Sequence, residues 1–323
     1  MQPISTLYHR HRALVSTVGP VVLLLVMVAV FTAINPRFLS WINLFNLMRQ
    51  SSILLVVATG ISFVILMGAI DLSVGAIVTL VGVSSAVLMT QAGFGALPVA
   101  LSALGIGALC GALNAVLVLK FRLPSFVATL GTMTIVSGIS TWISGGVTVF
   151  FRSPELTWIA SGALVGRVPN SGVLALMIFA AASFTGARSH FGRSLTAIGG
   201  GGVTARLSGI SVVRTKALAF ITSGLLCGTA GLLLVSRTST GTAHMGDDLL
   251  LQAIAAVVMG GTALSGGSGG VHRTLTGVLV IAVFQNGLNI AGVHPYVQIM
   301  VTGMIVILSV TITLDRSRLA FIK

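Results

Sequence analysis

Apolar runs of about the length needed to cross a bilayer follow one another along almost the whole of this sequence. A spanning helix needs about 20 mainly apolar residues. On that measure there are ten candidate spans, at roughly 18–35, 51–69, 74–91, 96–119, 125–144, 171–187, 213–235, 250–267, 274–292 and 295–314. Hydrophobic residues make up 55% of the chain and charged residues 7%, and mean hydropathy is +1.07, all far outside the soluble range. The expected fold is an all-α polytopic membrane protein with about ten transmembrane helices, forming a single domain over residues 1–323. The N-terminal His9-Arg10-His11-Arg12 followed by Val18 to Ile34 looks like a secretory signal, but the apolar run is too long and Asn35-Pro36-Arg37-Phe38 is no small-residue cleavage site. It is read as the first span.

The charges orient the chain. Short loops rich in Arg and Lys stay on the cytoplasmic side. With the N-terminus inside, Arg10, Arg12, Lys120, Arg122, Arg188, Arg193, Arg206, Arg214, Lys216, Arg273, Arg316, Arg318 and Lys323 are cytoplasmic, and Arg37, Arg49, Arg152, Arg167 and Arg237 are external. Thirteen against five favours this orientation, and ten spans return the C-terminus to the cytoplasm. A net charge of +13 would suggest nucleic acid in a soluble domain. Here the cations are scattered singly between apolar runs, so they read as topology signals and lipid-headgroup contacts, with no nucleic-acid partner.

Little material for catalysis is present. The only acids are Asp71, Glu155, Asp247, Asp248 and Asp315, too few and too scattered for carboxylate-pair chemistry. Cys110 and Cys227 lie inside apolar runs and read as packing residues. The six histidines show no metal-ligand spacing, so no metal is assigned. The run Gly260-Gly-Thr-Ala-Leu-Ser-Gly-Gly-Ser-Gly-Gly270 lacks the Gly-Lys-Ser/Thr of a phosphate loop, so no nucleotide or other cofactor is assigned.

Several residues interrupt the apolar pattern. Asp71, in Met67-Gly-Ala-Ile-Asp-Leu-Ser-Val-Gly75, is read as marking a helix break and capping the helix that follows; a proton-relay or ion-binding role is the alternative. Asn114, Gln252, Gln285, Asn286 and Asn289 are intramembrane amides. Gln285 and Asn289 share a helix face with Asn286 beside them, which suits interhelical hydrogen bonding or the lining of a polar path. Dense glycines within spans suit close helix packing. Met67-Gly68, Leu72-Ser73 and Gly75 recur as Met259-Gly260, Leu264-Ser265 and Gly267 at an offset of 192, an internal pseudo-repeat of the kind found in transport folds. Trp41, Phe45 and Met48 at helical spacing predict an interfacial amphipathic helix over 38–48. Asn35-Pro36, Leu123-Pro124 and His294-Pro295 read as span boundaries, and Val147 to Asn170 is the longest external loop.

The longest basic interruption is Arg188 to Ile210. It carries Arg188, Arg193 and Arg206, and no acid occurs between Leu156 and Gly246 to neutralise them. A short cytoplasmic helix is expected here, beginning near Gly202 or Val203 and stopping near Ser208-Gly209.

Taken in order, Asn35-Pro-Arg-Phe38, Asp71-Leu-Ser-Val-Gly75, Leu123-Pro-Ser-Phe-Val-Ala-Thr-Leu-Gly-Thr132, Gly192-Arg193 through Leu207-Ser-Gly-Ile210, and Ala253 to Gly267 with Asn286-Gly-Leu-Asn289 resemble the permease subunits of ribose, galactose and arabinose ATP-binding-cassette importers. The resemblance implies a bacterial inner-membrane permease that moves a small polar solute, a monosaccharide, by alternating access; the alternatives are an ion-coupled secondary carrier, or a permease of the same importer class for nucleosides or branched amino acids. Its implied partners are cytoplasmic ATPase subunits, an extracytoplasmic solute-binding protein and a second permease copy, identical or sister. It makes the segment at about 188–211 the coupling loop, with Gly192, Arg193, Gly199, Gly200, Ala205, Arg206, Leu207, Ser208 and Gly209 at the ATPase. Asp71, Ser73, Asn114, Gln285, Asn286 and Asn289 are the candidates for the solute path or helix break. ATP hydrolysis is expected in the partner, not in this chain. The sequence departs from the family at Gly201-Gly202, where the family has an Asn that would cap the helix, and the run Gly199 to Gly202 raises the entropy lost on ordering.

Overall fold

A computed structural model of the chain describes residues 4–313. Asp315, Arg316, Arg318 and Lys323, and the side chains of His9, Arg10, His11 and Arg12, lie outside what is described. Thirteen α-helices occur among the described residues: α1 (Ile4–Ile34), α2 (Trp41–Leu66), α3 (Val74–Thr90), α4 (Ala96–Leu119), α5 (Ser125–Ser144), α6 (Pro154–Ser161), α7 (Asn170–Arg188), α8 (His190–Gly200), α9 (Gly202–Leu207), α10 (Val212–Thr238), α11 (Asp247–Met259), α12 (Thr274–Ile290) and α13 (Pro295–Thr313). The chain is a multi-pass helical membrane protein, and five helices, α2, α4, α5, α7 and α10, are individually long and apolar enough to cross a bilayer.

Each candidate span coincides with a helix, with two corrections. The amphipathic segment at 38–48 is not a separate helix. Ser40 caps a helix that starts at Trp41 by accepting the Asn43 N–H at 3.3 Å, and that helix continues unbroken to Leu66. The eighth candidate, 250–267, is helical only as α11, which has 13 residues. At 1.5 Å per residue α11 is about 20 Å long, short of the roughly 30 Å hydrocarbon. It begins only after the chain has left α10 through Ser239, in the left-handed region at φ 55°, and passed beside α3 through Thr240–Gly241 and a turn. There Gly241 lies against Val83 and Ala86, Met245 against Gly82, and the Gly246 N–H donates to Thr79 Oγ1 at 3.0 Å. It stops early at Gly260-Gly261.

The all-α expectation also misses four short strands. Val149–Phe150 (β1) pairs antiparallel with Thr240–Gly241 (β4), and Ala163–Val165 (β2) pairs with Val168–Pro169 (β3). With α6 they fold the loop from Val147 to Asn170. Asn170 ties it to α7 by accepting the Leu164 N–H at 2.7 Å and donating to the Trp158 carbonyl at 3.0 Å. Prolines stand at the boundaries read from sequence: Pro36 opens a 3-10 turn, Pro124 precedes α5 and Pro295 begins α13.

The core is built around α2, α3 and α10. α2 is buried from Ser52 to Leu66, and a continuous apolar cluster joins it to α3, α4, α10, α11 and α12. α4 and α10 cross with their backbones in contact. A Cβ at Gly107 would collide with the Gly224 carbonyl, one at Gly111 with the Phe220 carbonyl, and one at Gly228 with the Ala103 carbonyl. Small residues four apart on both helices permit this approach, which in lipid supplies packing where the hydrophobic effect cannot. Cys110 and Cys227 are buried, unbonded packing residues on these two helices.

Candidate functional site

The basic segment folds into two helices where one was expected. Ser189 caps α8 by accepting the Gly192 N–H at 3.1 Å. Leu195 and Ile198 turn inward with Ala205 of α9, onto a cluster of Phe63, Leu66, Met67, Ala115, Phe220 and Val271. The Phe191 and Phe63 rings are 5.6 Å apart. The sequence reading missed α8, although its apolar residues Phe191, Leu195 and Ile198 recur at helical spacing.

α9 occupies Gly202–Leu207, within the limits read from sequence. Gly209, at φ 82°, terminates it: its N–H bonds the Arg206 carbonyl at 3.0 Å, and the Ile210 N–H bonds Ala205 at 3.1 Å. Ala205 is buried, whereas Arg206, Ser208 and Gly209 are exposed, and Val203 and Leu207, four apart, present 77% and 83% of their surface. Val203 and Leu207 thus form an exposed apolar pair beside Arg206, on a short helix whose buried residue is Ala205. Arg193 is exposed as well, its Nη1 donating to the Arg188 carbonyl at 3.0 Å.

The glycines of this segment have separate duties. Gly192 lies directly on Gly186 of α7, and Gly199 lies on the Leu66 carbonyl and the Gly267 N–H; neither has room for a Cβ. Gly200 is open on its own Cβ side, but its N–H and Cα block a Cβ at Gly267. Three backbones therefore meet here: the end of α2, the end of α8 and the loop after α11, with the Gly267 N–H donating to the Leu66 carbonyl at 3.0 Å. Through this crossing the basic surface touches the break in the transmembrane core.

That break runs from Met67 to Ser73. Asp71 does not cap α3 itself. Ser73 is the N-cap residue, and Asp71 Oδ1 accepts the Ser73 N–H at 3.0 Å and its hydroxyl at 2.6 Å, fixing the approach one step upstream. Asn114 of α4 joins them, its Nδ2 donating to Ser73 Oγ at 2.8 Å and reaching Asp71 Oδ1 at 3.4 Å. All three are fully buried. The extended stretch is also held by α5: the Ile70 N–H donates to Ser125 Oγ at 3.2 Å and the Leu72 N–H to Thr129 Oγ1 at 3.0 Å.

The other amides stand elsewhere. Asn286 forms a reciprocal amide pair with Asn43 at 2.8 and 3.0 Å. Asn43 is near the start of α2 and Asp71 lies past its end, with about 35 Å of helix between Asn43 and Leu66. Asn289 is exposed and accepts from Gln298 Nε2 at 3.2 Å, while Gln285 is half-buried. Asp71, Ser73 and Asn114 thus form one cluster, and Gln285, Asn286 and Asn289 sit at the opposite end of the bundle. The sequence reading missed Asn43 and Ser223, and also the exposed His244–Asp247 pair at 3.0 Å before α11.

The two echoed segments leave their helices alike, the second exit falling one residue beyond the offset of 192 that pairs Gly68 with Gly260. The Gly68 N–H bonds the Ile65 carbonyl at 2.9 Å and the Ala69 N–H bonds Val64 at 3.2 Å; the Gly261 N–H bonds Val258 at 2.9 Å and the Thr262 N–H bonds Val257 at 3.2 Å. Both glycines have positive φ, 75° and 91°.

Comparison with known proteins agrees with this architecture. The family described as "Branched-chain amino acid transport system / permease component" matches residues 43–310. The ribose import permease RbsC of Bacillus subtilis is 38% identical over 306 residues, 94% of this chain and 93% of that protein. RbsC of Escherichia coli is 36% identical over 293 residues, covering 90% and 91%. The galactose/methyl galactoside import permease MglC of Salmonella typhimurium is 32% identical over 311 residues, covering 91% and 93%. No solved structure matches the chain. The chain belongs to this family of transport-system permease components.

Proposed function

We propose that the chain is the membrane permease subunit of an ATP-driven importer that brings a monosaccharide into the cytoplasm by alternating access. The observation that carries this reading is the α8–α9 surface: exposed Val203, Leu207, Arg193 and Arg206 lie on helices whose inner faces pack directly onto the broken core. Similarity to ribose and galactose import permeases supports a sugar as solute.

A cytoplasmic ATPase seats α9 in a groove, its acids meeting the arginines. A solute-binding protein delivers from the other side, and a second permease copy completes the path. Both termini are cytoplasmic in this reading, which the thirteen-to-five cation count supports. The matched exits at Gly68 and Gly261 support an internal repeat.

The test is to co-express the chain with its ATPase and binding protein in liposomes and measure sugar-stimulated ATP turnover. Arg193→Glu and Arg206→Glu are expected to lower turnover at least tenfold. Unchanged turnover would remove the coupling role. Uptake that survives ATP depletion but collapses with the proton gradient would replace the importer with an ion-coupled carrier.

A further inference from the structure

The polar cluster at the α2–α3 break does not close on itself as drawn from its heavy atoms. Asp71, Ser73, Asn114 and, on α10, Ser223 are each fully buried. Asp71 Oδ1 is saturated by the Ser73 N–H and hydroxyl, with the Asn114 amide beyond. Asp71 Oδ2, Asn114 Oδ1 and Ser223 Oγ have no hydrogen-bond partner among the described residues. Ser223 stands next to the carboxylate but falls short of hydrogen-bond geometry.

The first two unpartnered atoms are acceptors. An ionised carboxylate and an amide oxygen accept only, so the single Ser223 hydroxyl would have to serve both. The negative charge would also go unmatched. Among the described residues His244 and Asp247 form an ion pair far along the chain, and no Lys, Arg or His is in ion-pair reach of Asp71. The ionisable groups that do adjoin Asp71 are the thiols of Cys110 on α4 and Cys227 on α10, neither of them a cation. No group of three His, Cys, Asp or Glu among the described residues is arranged to hold a metal. Burying an unpaired charge is costly even after relaxation.

We propose that this cluster is a resident proton site: Asp71 Oδ2 carries a proton and donates it in a hydrogen bond within the cluster, toward Asn114 Oδ1 or Ser223 Oγ. One added proton supplies the missing donor and removes the unmatched charge together. Asp71 then works as a neutral clamp between the break, α4 and α10, and does not exchange its proton during transport. This assignment stands apart from the identity of the solute and from ATP coupling.

The test uses the full-length protein in lipid nanodiscs at neutral pH. Aspartate is labelled at its carboxyl carbon, which marks Asp71, Asp247, Asp248 and Asp315. The infrared spectrum is expected to contain one label-shifted carbonyl stretch of a protonated acid, lost in Asp71→Asn. Asn keeps the shape and offers a donor where Oδ2–H stood, so its thermal midpoint is expected to match wild type, while Asp71→Ala falls by roughly 2–6 °C. Only ionised carboxylate bands from the wild type would overturn the proposal. So would an Asp71→Asn midpoint as low as that of Ala, or sodium raising the wild-type midpoint but not that of Asp71→Asn. If the variants do not fold, the labelled wild-type spectrum alone decides.

Discussion

α2 and α11 terminate through the same pair of hydrogen bonds on a left-handed glycine, yet the chain beyond them is held in contrasting ways. After Gly68 the backbone is pinned by side chains: Asp71 and Asn114 on one side, Ser125 and Thr129 on the other. After Gly261 it is held mainly by shape. Gly266, Gly267 and Gly269 all have positive φ, and Gly266 and Gly267 press backbone to backbone on Gly68 and Gly200. The polar support there is Thr262, whose Oγ1 accepts the Gly270 N–H at 3.2 Å. A helix exit inside a membrane needs its freed backbone groups satisfied, and one chain meets that need once with side-chain partners and once with other backbone groups, the Ala263 N–H on the Ser268 carbonyl at 3.1 Å and the Gly267 N–H on the Leu66 carbonyl at 3.0 Å.

Substitutions can break this distinction. The largest effect is expected at the second exit from added bulk: Gly267→Val forces a β-branched residue to φ 76° and drives its Cβ into Gly200. A loss of about 3 kcal/mol or more follows, read as a lower yield of monodisperse protein and a lower thermal midpoint. Thr129→Val, nearly isosteric, leaves the part-buried Leu72 N–H unpaired and is expected to cost about 1–2 kcal/mol. Thr262→Val is expected to cost less, about 1 kcal/mol or below, because its bond to Gly270 is longer. Equal losses at the two threonines would erase the contrast.

The smallest effect sharpens it by pH. His272, at the far end of the second exit, titrates below the usual histidine value because of partial burial and the neighbouring Arg273. The unfolded chain therefore takes up its proton first as pH falls. Stability from this site is complete above about pH 6.5 and declines as pH drops below it. His272→Gln is expected to flatten the midpoint between neutral and mildly acidic pH by a small amount, and an unaltered slope would dismiss the effect.

What was legible in the sequence follows from the kind of signal. Long apolar runs announce helices wherever the whole run is helical, which is why α3, α4 and α5 fall within a residue or two of their expected limits. The same signal misleads at α11, since Gly260-Gly261 looks equally like a packing surface and like an exit, and hydropathy cannot tell these apart. The span of α9 was legible because Gly202 and Ser208-Gly209 punctuate it locally. The Asn43–Asn286 pair was not, because its partners are 243 residues apart and each is an ordinary amide taken alone. Ser223 was hidden for a similar reason: a hydroxyl in an apolar helix gains meaning only from the carboxylate beside it. Asp71 itself was conspicuous, but its precise bond to Ser73 in place of a helix cap depended on where α3 begins.

The glycine crossing of α4 and α10 has a mechanical consequence. Those helices come from opposite halves of the chain, and with no side-chain layer between their backbones they share one set of rigid-body coordinates. Sliding or tilting one against the other would drive carbonyl groups into Cα atoms within a fraction of an ångström. The two halves are therefore welded, and any rearrangement of this chain has to carry α4 and α10 as one piece.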